Sequence, residues 1–105
     1  MEIRKSAVAG TLESSDAAVT VEPKAAGAGP SLELVVECPD SRFAGRVRAT
    51  ALAALAELGV TSARVVVRDR SALDCAIRAR VLAACLRAAE QEGSPASAAP
   101  WGGRK

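Results

Sequence analysis

From Ala7 to Glu22 two short apolar runs, rich in small and β-branched residues, flank a polar, turn-forming centre. They read Ala7-Val8-Ala9, then Gly10-Thr11-Leu12-Glu13-Ser14-Ser15-Asp16, then Ala17-Ala18-Val19-Thr20-Val21-Glu22. This pattern predicts a β-hairpin with arms Ala7–Glu13 and Ala17–Glu22 and a tip from Glu13 to Asp16. Residues 1–6 read as a frayed lead-in. Pro23 ends the second arm, because its nitrogen has no proton to give a ladder. Residues 24–31, Lys-Ala-Ala-Gly-Ala-Gly-Pro-Ser, have the composition of a flexible loop. Leu32, Leu34 and Val36 alternate with Glu33, Val35 and Glu37, which predicts a third strand over Leu32–Glu37.

The period then changes. Pro39-Asp40-Ser41 opens a helix with Asp40 or Ser41 as N-cap. Phe43, Val47, Ala51, Leu55 and Leu58 form its buried stripe. Gly59 is placed to close it in a left-handed turn. Ala63–Arg68, centred on three valines, is a fourth strand. Ser71 with Asp74 resembles a capping box, which starts a second helix near Ala72. Leu73, Ile77, Val81, Leu82, Cys85, Leu86 and Ala89 would be its apolar face, and it should fade between Glu90 and Gly93. The order β-β-β-α-β-α predicts a small α+β sandwich, a four-stranded sheet with two helices on one face. A right-handed crossover through the first helix would make strands 3 and 4 parallel. The order of strands in the sheet stays open. Residues 1–92 read as one domain and residues 93–105 as a disordered tail, in which Trp101 stands out as a residue able to dock on a partner.

Composition narrows the chemistry. The 105 residues are half apolar, with one Phe, one Trp and no Tyr, so the core is built from alanine, valine and leucine. No apolar run approaches the roughly 20 residues that span a bilayer, and no signal-peptide pattern follows Met1, which suggests a cytosolic protein. Histidine is absent, removing the usual general base and the commonest metal ligand. Cys38, Cys75 and Cys85 are an odd set without a close pair, which argues against a disulfide framework or zinc site; all three read as small core residues. No nucleophile–base pair or cofactor loop points to an enzyme, and Gly27-Ala28-Gly29 lacks the strand–turn–helix setting of a phosphate loop.

The net charge of +2 is unevenly spread. Residues 1–41 hold seven acidic and three basic side chains, whereas residues 42–87 hold nine arginines against Glu57, Asp69 and Asp74. An arginine-rich body raises a nucleic-acid-binding module as one reading, but the chain lacks the aromatic residues on which bases stack. The hairpin tip raises another. It sets Ser14 and Ser15 between Glu13 and Asp16, solvated and backed by a paired ladder, with no base nearby to make either a nucleophile. A hydroxyl displayed so is suited to carry a group. The residues alone leave Ser14 and Ser15 equivalent.

Gly10-Thr11-Leu12-Glu13-Ser14-Ser15-Asp16 resembles the prosthetic-group site of the citrate lyase acyl carrier protein (γ subunit) family. Ala72-Leu73-Asp74-Cys75 with Arg78-Ala79-Arg80 resembles a second motif of that family, at about its separation, and the likeness extends from Met1 to Glu90. Two positions depart from the pattern: Ser71 stands where the family has glycine, and Arg70 where it has lysine. The resemblance implies a non-catalytic carrier, with Ser14 bearing 2'-(5''-phosphoribosyl)-3'-dephospho-coenzyme A through a phosphoester. The arm's thiol would hold acetyl or citryl while citrate is cleaved to oxaloacetate and acetate. It implies as partners the α (transferase) and β (lyase) subunits and a prosthetic-group transferase, with no nucleic acid and no membrane. Glu13, Asp16, Arg70, Arg78 and Arg80 would be candidate contacts for the arm or for partners. The malonate decarboxylase carrier is a related alternative. Asp40-Ser41-Arg42 faintly resembles the attachment site of ordinary acyl carrier proteins, but an N-cap explains it.

Overall fold

The structure is a computed structural model and describes residues 1–24 and 31–89. Residues 25–30 of the expected loop at 24–31, the expected end of the second helix between Glu90 and Gly93, the tail and Trp101 lie outside the described residues. Four strands, β1 (Ala7–Gly10), β2 (Asp16–Glu22), β3 (Leu32–Glu37) and β4 (Ala63–Arg70), form one sheet in the order β1-β2-β4-β3. Helices α1 (Ala44–Glu57) and α2 (Asp74–Ala89) pack on one face. The expected α+β architecture therefore holds. β3 and β4 run parallel, Leu34 beside Val65, and the other pairings are antiparallel, with Val19 beside Val67. β4, late in the chain, is the strand on which both the hairpin and β3 assemble.

The core lies between sheet and helices. Val19, Val21, Val65 and Val67 point into it from the two central strands, and all four are fully buried. Val47, Ala51, Ala54 and Leu55 meet them from α1, and Ile77, Val81, Ala84, Cys85 and Ala88 from α2. On the opposite face Val8, Thr20, Val66 and Val35 stand side by side across all four strands. Arg64 bridges Glu22 and Glu33 next to that row. No helix among the described residues is long and apolar enough to cross a membrane.

Several local expectations are corrected. The lead-in is anchored, not frayed: Ile3 is buried in the core, and the amides of Arg4 and Lys5 donate to the carbonyl of Ala88. Phe43 is exposed, because Ser41–Phe43 is a 3-10 turn that rotates it off the α1 stripe. Its ring instead faces the guanidinium groups of Arg42 and Arg46, at 5.7 and 5.2 Å. Asp40 is the N-cap of that turn, accepting from the Arg42 amide. Gly59 closes α1 as expected, at φ +70°, with the Val60 amide reaching back to the carbonyl of Leu55.

Leu73 and Leu86 are also exposed. The stripe of α2 is Ile77, Val81, Ala84, Cys85 and Ala88, at spacings of three and four, so small alanines replace the expected leucines. Cys75, expected in the core, is exposed because it precedes that stripe in the first turn, whereas Cys85 is buried and Cys38 half-buried. Burial pushes the Cys85 thiol up to about 11.

Ser71 is not a cap. It sits at φ +66°, where an L-residue is strained and glycine is not. The buried carboxylate of Asp69 takes the capping role, accepting from the Ala72 amide at 2.9 Å. The carbonyl of Leu73 then accepts the first helical bonds, from Ala76 and Ile77. Ser71→Gly removes the strain at the expense of some chain entropy and is expected to stabilise the fold by about 1 kcal/mol. In a domain this small that raises Tm by about 4–8 °C in a thermal melt.

Candidate functional site

The tip is shorter on one side than the pattern suggested. β1 stops at Gly10, whose φ of +94° turns the chain out of the ladder, so Thr11, Leu12 and Glu13 belong to the loop. Gly10 also lets two groups approach closely: a Cβ there would lie 1.8 Å from the Ala17 carbonyl oxygen and 3.0 Å from Cδ of Arg80. The Arg80 side chain runs past this bare backbone into the base of the loop.

There it meets Asp16. Nε and Nη2 of Arg80 donate to the two carboxylate oxygens, each at 3.0 Å. The same carboxylate accepts from Thr11 Oγ1 at 2.7 Å, from the Thr11 amide at 3.2 Å and from the Ala17 amide at 2.7 Å. Thr11 Oγ1 in turn accepts from the Glu13 amide. Asp16 is therefore the knot that ties both sides of the loop to α2. Hydrogen bonds from Arg80, then from Thr11 and Ala17, hold its carboxyl far below the usual carboxylate range.

A carboxyl that ionises more readily folded than unfolded adds stability above its unfolded pKa, about 4, and loses it as pH falls toward the folded value. Thermal melts between pH 5 and pH 2 should therefore show wild type losing Tm more steeply than Asp16→Asn, whose own Tm is lower at neutral pH. Parallel curves would show that the knot does not couple to stability.

Above the knot lies the turn that carries the serines. The Asp16 amide donates to the Glu13 carbonyl at 3.1 Å, closing a four-residue turn with Ser14 and Ser15 at its centre. Ser15 has φ +65° whereas Ser14 does not have a positive φ, the sign pattern of a type II turn. The Ser15 amide donates to the carbonyl of Arg70 at 2.7 Å, clamping the turn to the end of β4. Ser14 occupies the outer corner, exposed, and its hydroxyl has no hydrogen-bond partner among the described residues. Backbone geometry thus separates two serines that composition could not.

The tip shares its end of the molecule with the exits of β3 and β4 and the entry of α2. Arg46 in the first turn of α1 pairs with Asp74 in the first turn of α2, at 3.1 Å, so both helix N-termini face this way. An open groove of about 390 Å³ lies beside the loop, with Leu12, Cys38, Pro39, Arg68, Asp69 and Arg70 among its walls. Cys38 Sγ sits 3.2 Å from the Asp40 carbonyl oxygen and 3.4 Å from Oδ2 of Asp69, and burial raises its pKa.

The candidate contacts fall into distinct places. Arg70 borders the groove beside the tip, and Glu13 is exposed in the turn. Asp16 and Arg80 are spent on each other. Arg78, two residues from Arg80 and so on the other side of α2, pairs with Glu57 of α1. The motif around Leu73 and Asp74 thus meets the hairpin through Arg80, a link of 64 positions that no local pattern announces.

An exposed serine on a clamped turn beside a groove is suited to carry a group. Comparison with known proteins agrees. Residues 4–88 match the acyl carrier family model described as malonate decarboxylase delta subunit (MdcD). The chain is 45% identical over 92 residues to the citrate lyase acyl carrier protein of Haemophilus influenzae (strain PittGG), covering 87% of this chain and 92% of that one. The Klebsiella pneumoniae citrate lyase acyl carrier protein is equally similar, 45% over the same shares. That of Lacticaseibacillus casei (strain BL23) is 41% identical over 88% of both chains. The chain belongs to the citrate lyase acyl carrier protein family.

Proposed function

We propose that this protein is the acyl carrier subunit of a citrate lyase complex and carries a phosphoribosyl-dephospho-coenzyme A group on Ser14. The observation that carries the reading is the turn itself: an unengaged, exposed hydroxyl on a backbone fixed from both sides. The surroundings fit such a group, with an open groove beside the loop and Arg70, in its wall, on the strand end that clamps the turn. When bound, the group supplies a thiol that takes acyl units as thioesters. The chain's own residues display and orient: Asp16 and Arg80 hold the loop, and Ser15 fixes the corner from which Ser14 projects. No catalytic group is required of this subunit, which serves α and β subunits that do the chemistry in the cytoplasm. Residues 1–92 form the carrier domain.

The description of the matching family model favours one second reading, a malonate decarboxylase carrier. The pairing of most body arginines with carboxylates or carbonyls supports the carrier reading over the nucleic-acid one. Intact-mass measurement on protein from its native host, with peptide mapping of residues 6–24, tests the carrier role. The expected result is an adduct of the nucleotide-extended arm on Ser14. Citrate cleavage on mixing with citrate lyase α and β subunits separates the two carrier readings, and turnover only with malonate decarboxylase subunits would select the second.

A further inference from the structure

We propose that Arg70 is the phosphate-binding residue of the tip, pairing with the phosphodiester carried on Ser14 and laying the first segment of the arm along the adjoining groove. This rests on the carrier reading.

The first ground is the state of the cations. Arg4, Lys24, Arg42, Arg46, Arg64, Arg68, Arg78 and Arg80 all pair with carboxylates. Arg48 and Arg87 donate to the carbonyls of Leu34 and Val8. Arg70 is exposed, and its side chain has no ion-pair or hydrogen-bond partner among the described residues. A planar guanidinium left open is suited to bidentate binding of a phosphate.

The second ground is position. Arg70 is the cross-strand neighbour of Asp16, and its carbonyl holds the Ser15 amide at 2.7 Å. Ser14 is two residues from Asp16, at most about 7 Å along an extended chain, which an arginine side chain can bridge. The backbone on both sides of that contact is at positive φ, at Ser15 just before β2 and at Ser71 just after β4, which fixes the path of the chain around Arg70.

The third ground is the groove. Its volume of about 390 Å³ is at the lower end of ligand pockets, and it joins the apolar side chain of Leu12 and the ring of Pro39 to Arg70. Its carboxylates are occupied. Glu37 pairs with Arg68, and Asp69 accepts from the Ala72 amide and lies against Cys38. Asp16 is neutralised by Arg80, which leaves Glu13 as the one tip carboxylate facing an anionic arm without an ion pair among the described residues. The arm is therefore drawn back over the groove instead of being repelled from the tip.

Full-length protein labelled with nitrogen-15 arginine is loaded with the arm, and loading on Ser14 is verified by mass. Loading should shift the Arg70 Nε–H resonance and leave Arg78 unchanged. The phosphorus resonance of the serine-linked phosphate should relax like the folded domain in wild type and like a free chain in Arg70→Gln. Arg70→Lys should lie between, and Arg78→Gln should match wild type. Arg70 has no side-chain ion pair or hydrogen bond to lose among the described residues, so Arg70→Gln keeps the wild-type melt. An adduct on Ser14 with identical phosphorus relaxation in wild type and Arg70→Gln overturns the proposal and leaves the carrier function standing. Absence of any adduct overturns both.

Discussion

Ser14→Ala is expected to abolish loading, leaving the intact mass at that of the bare chain and citrate cleavage by the reconstituted complex at background. On the proposed attachment the loss is complete, because the group would be held through this one oxygen and no neighbouring hydroxyl is equivalent. Thr11 Oγ1 is engaged with Asp16, and Ser15 is held at a positive φ with its amide tied to Arg70. The fold should not notice: an exposed side chain at the outer corner of a turn changes stability by no more than about 0.5 kcal/mol. Ser15→Ala is the matched control and should load at Ser14. Loading of Ser14→Ala at Ser15 would keep the carrier role and show that the transferase reads the tip and not the corner.

Gly10→Ala should be the most damaging substitution to the fold. The added methyl would lie 1.8 Å from a backbone oxygen, which has no rotamer by which to retreat. The φ of +94° adds its own strain for any residue with a Cβ. Together these imply a loss of about 3 kcal/mol or more. In a domain of this size that is a fall in Tm of about 10 °C or more. Relief requires β1 to move off β2, which also shifts Arg80 away from Asp16, so the loop should loosen before the core melts. Hydrogen exchange at the Ala17 and Asp16 amides would report that order. A variant that melts within a degree or two of wild type would mean the hairpin can slide at little cost.

Among the described residues periodicity located all four strands and both helices, and β3 to the residue, because burial on one face imposes a period of two on strands and of three to four on helices. It failed where a single backbone angle decides. Thr11 to Glu13 looked like part of a strand that Gly10 in fact ends, and Ser71 looked like a cap; Gly10 and Ser71 are both at positive φ, and the second explains why the family pattern has glycine there. It failed again at helix entries, where a 3-10 turn moved Phe43 outward and Asp69, five residues before α2, took the capping role expected of Ser71. The choice of Ser14 over Ser15 rests on the family motif, since adjacent hydroxyls differ in the torsion angles of the turn and not in type. Arg80 and Arg70 were both visible as candidates. What separated them was long-range pairing, which strand order determines and local sequence does not.

The clamp between Ser15 and Arg70 has a consequence for biosynthesis. A two-stranded hairpin is marginal in water by itself, and the third strand that supports this one is 40 residues downstream of its second arm. While the ribosome has not yet released β4, the tip has neither its backbone anchor nor the arginine beside it, and Asp16 lacks the Arg80 that comes later still. The clamped corner is thus assembled only on chains that have been translated through α2. A modifying enzyme that recognised this corner would act on finished chains and pass over those still lacking α2.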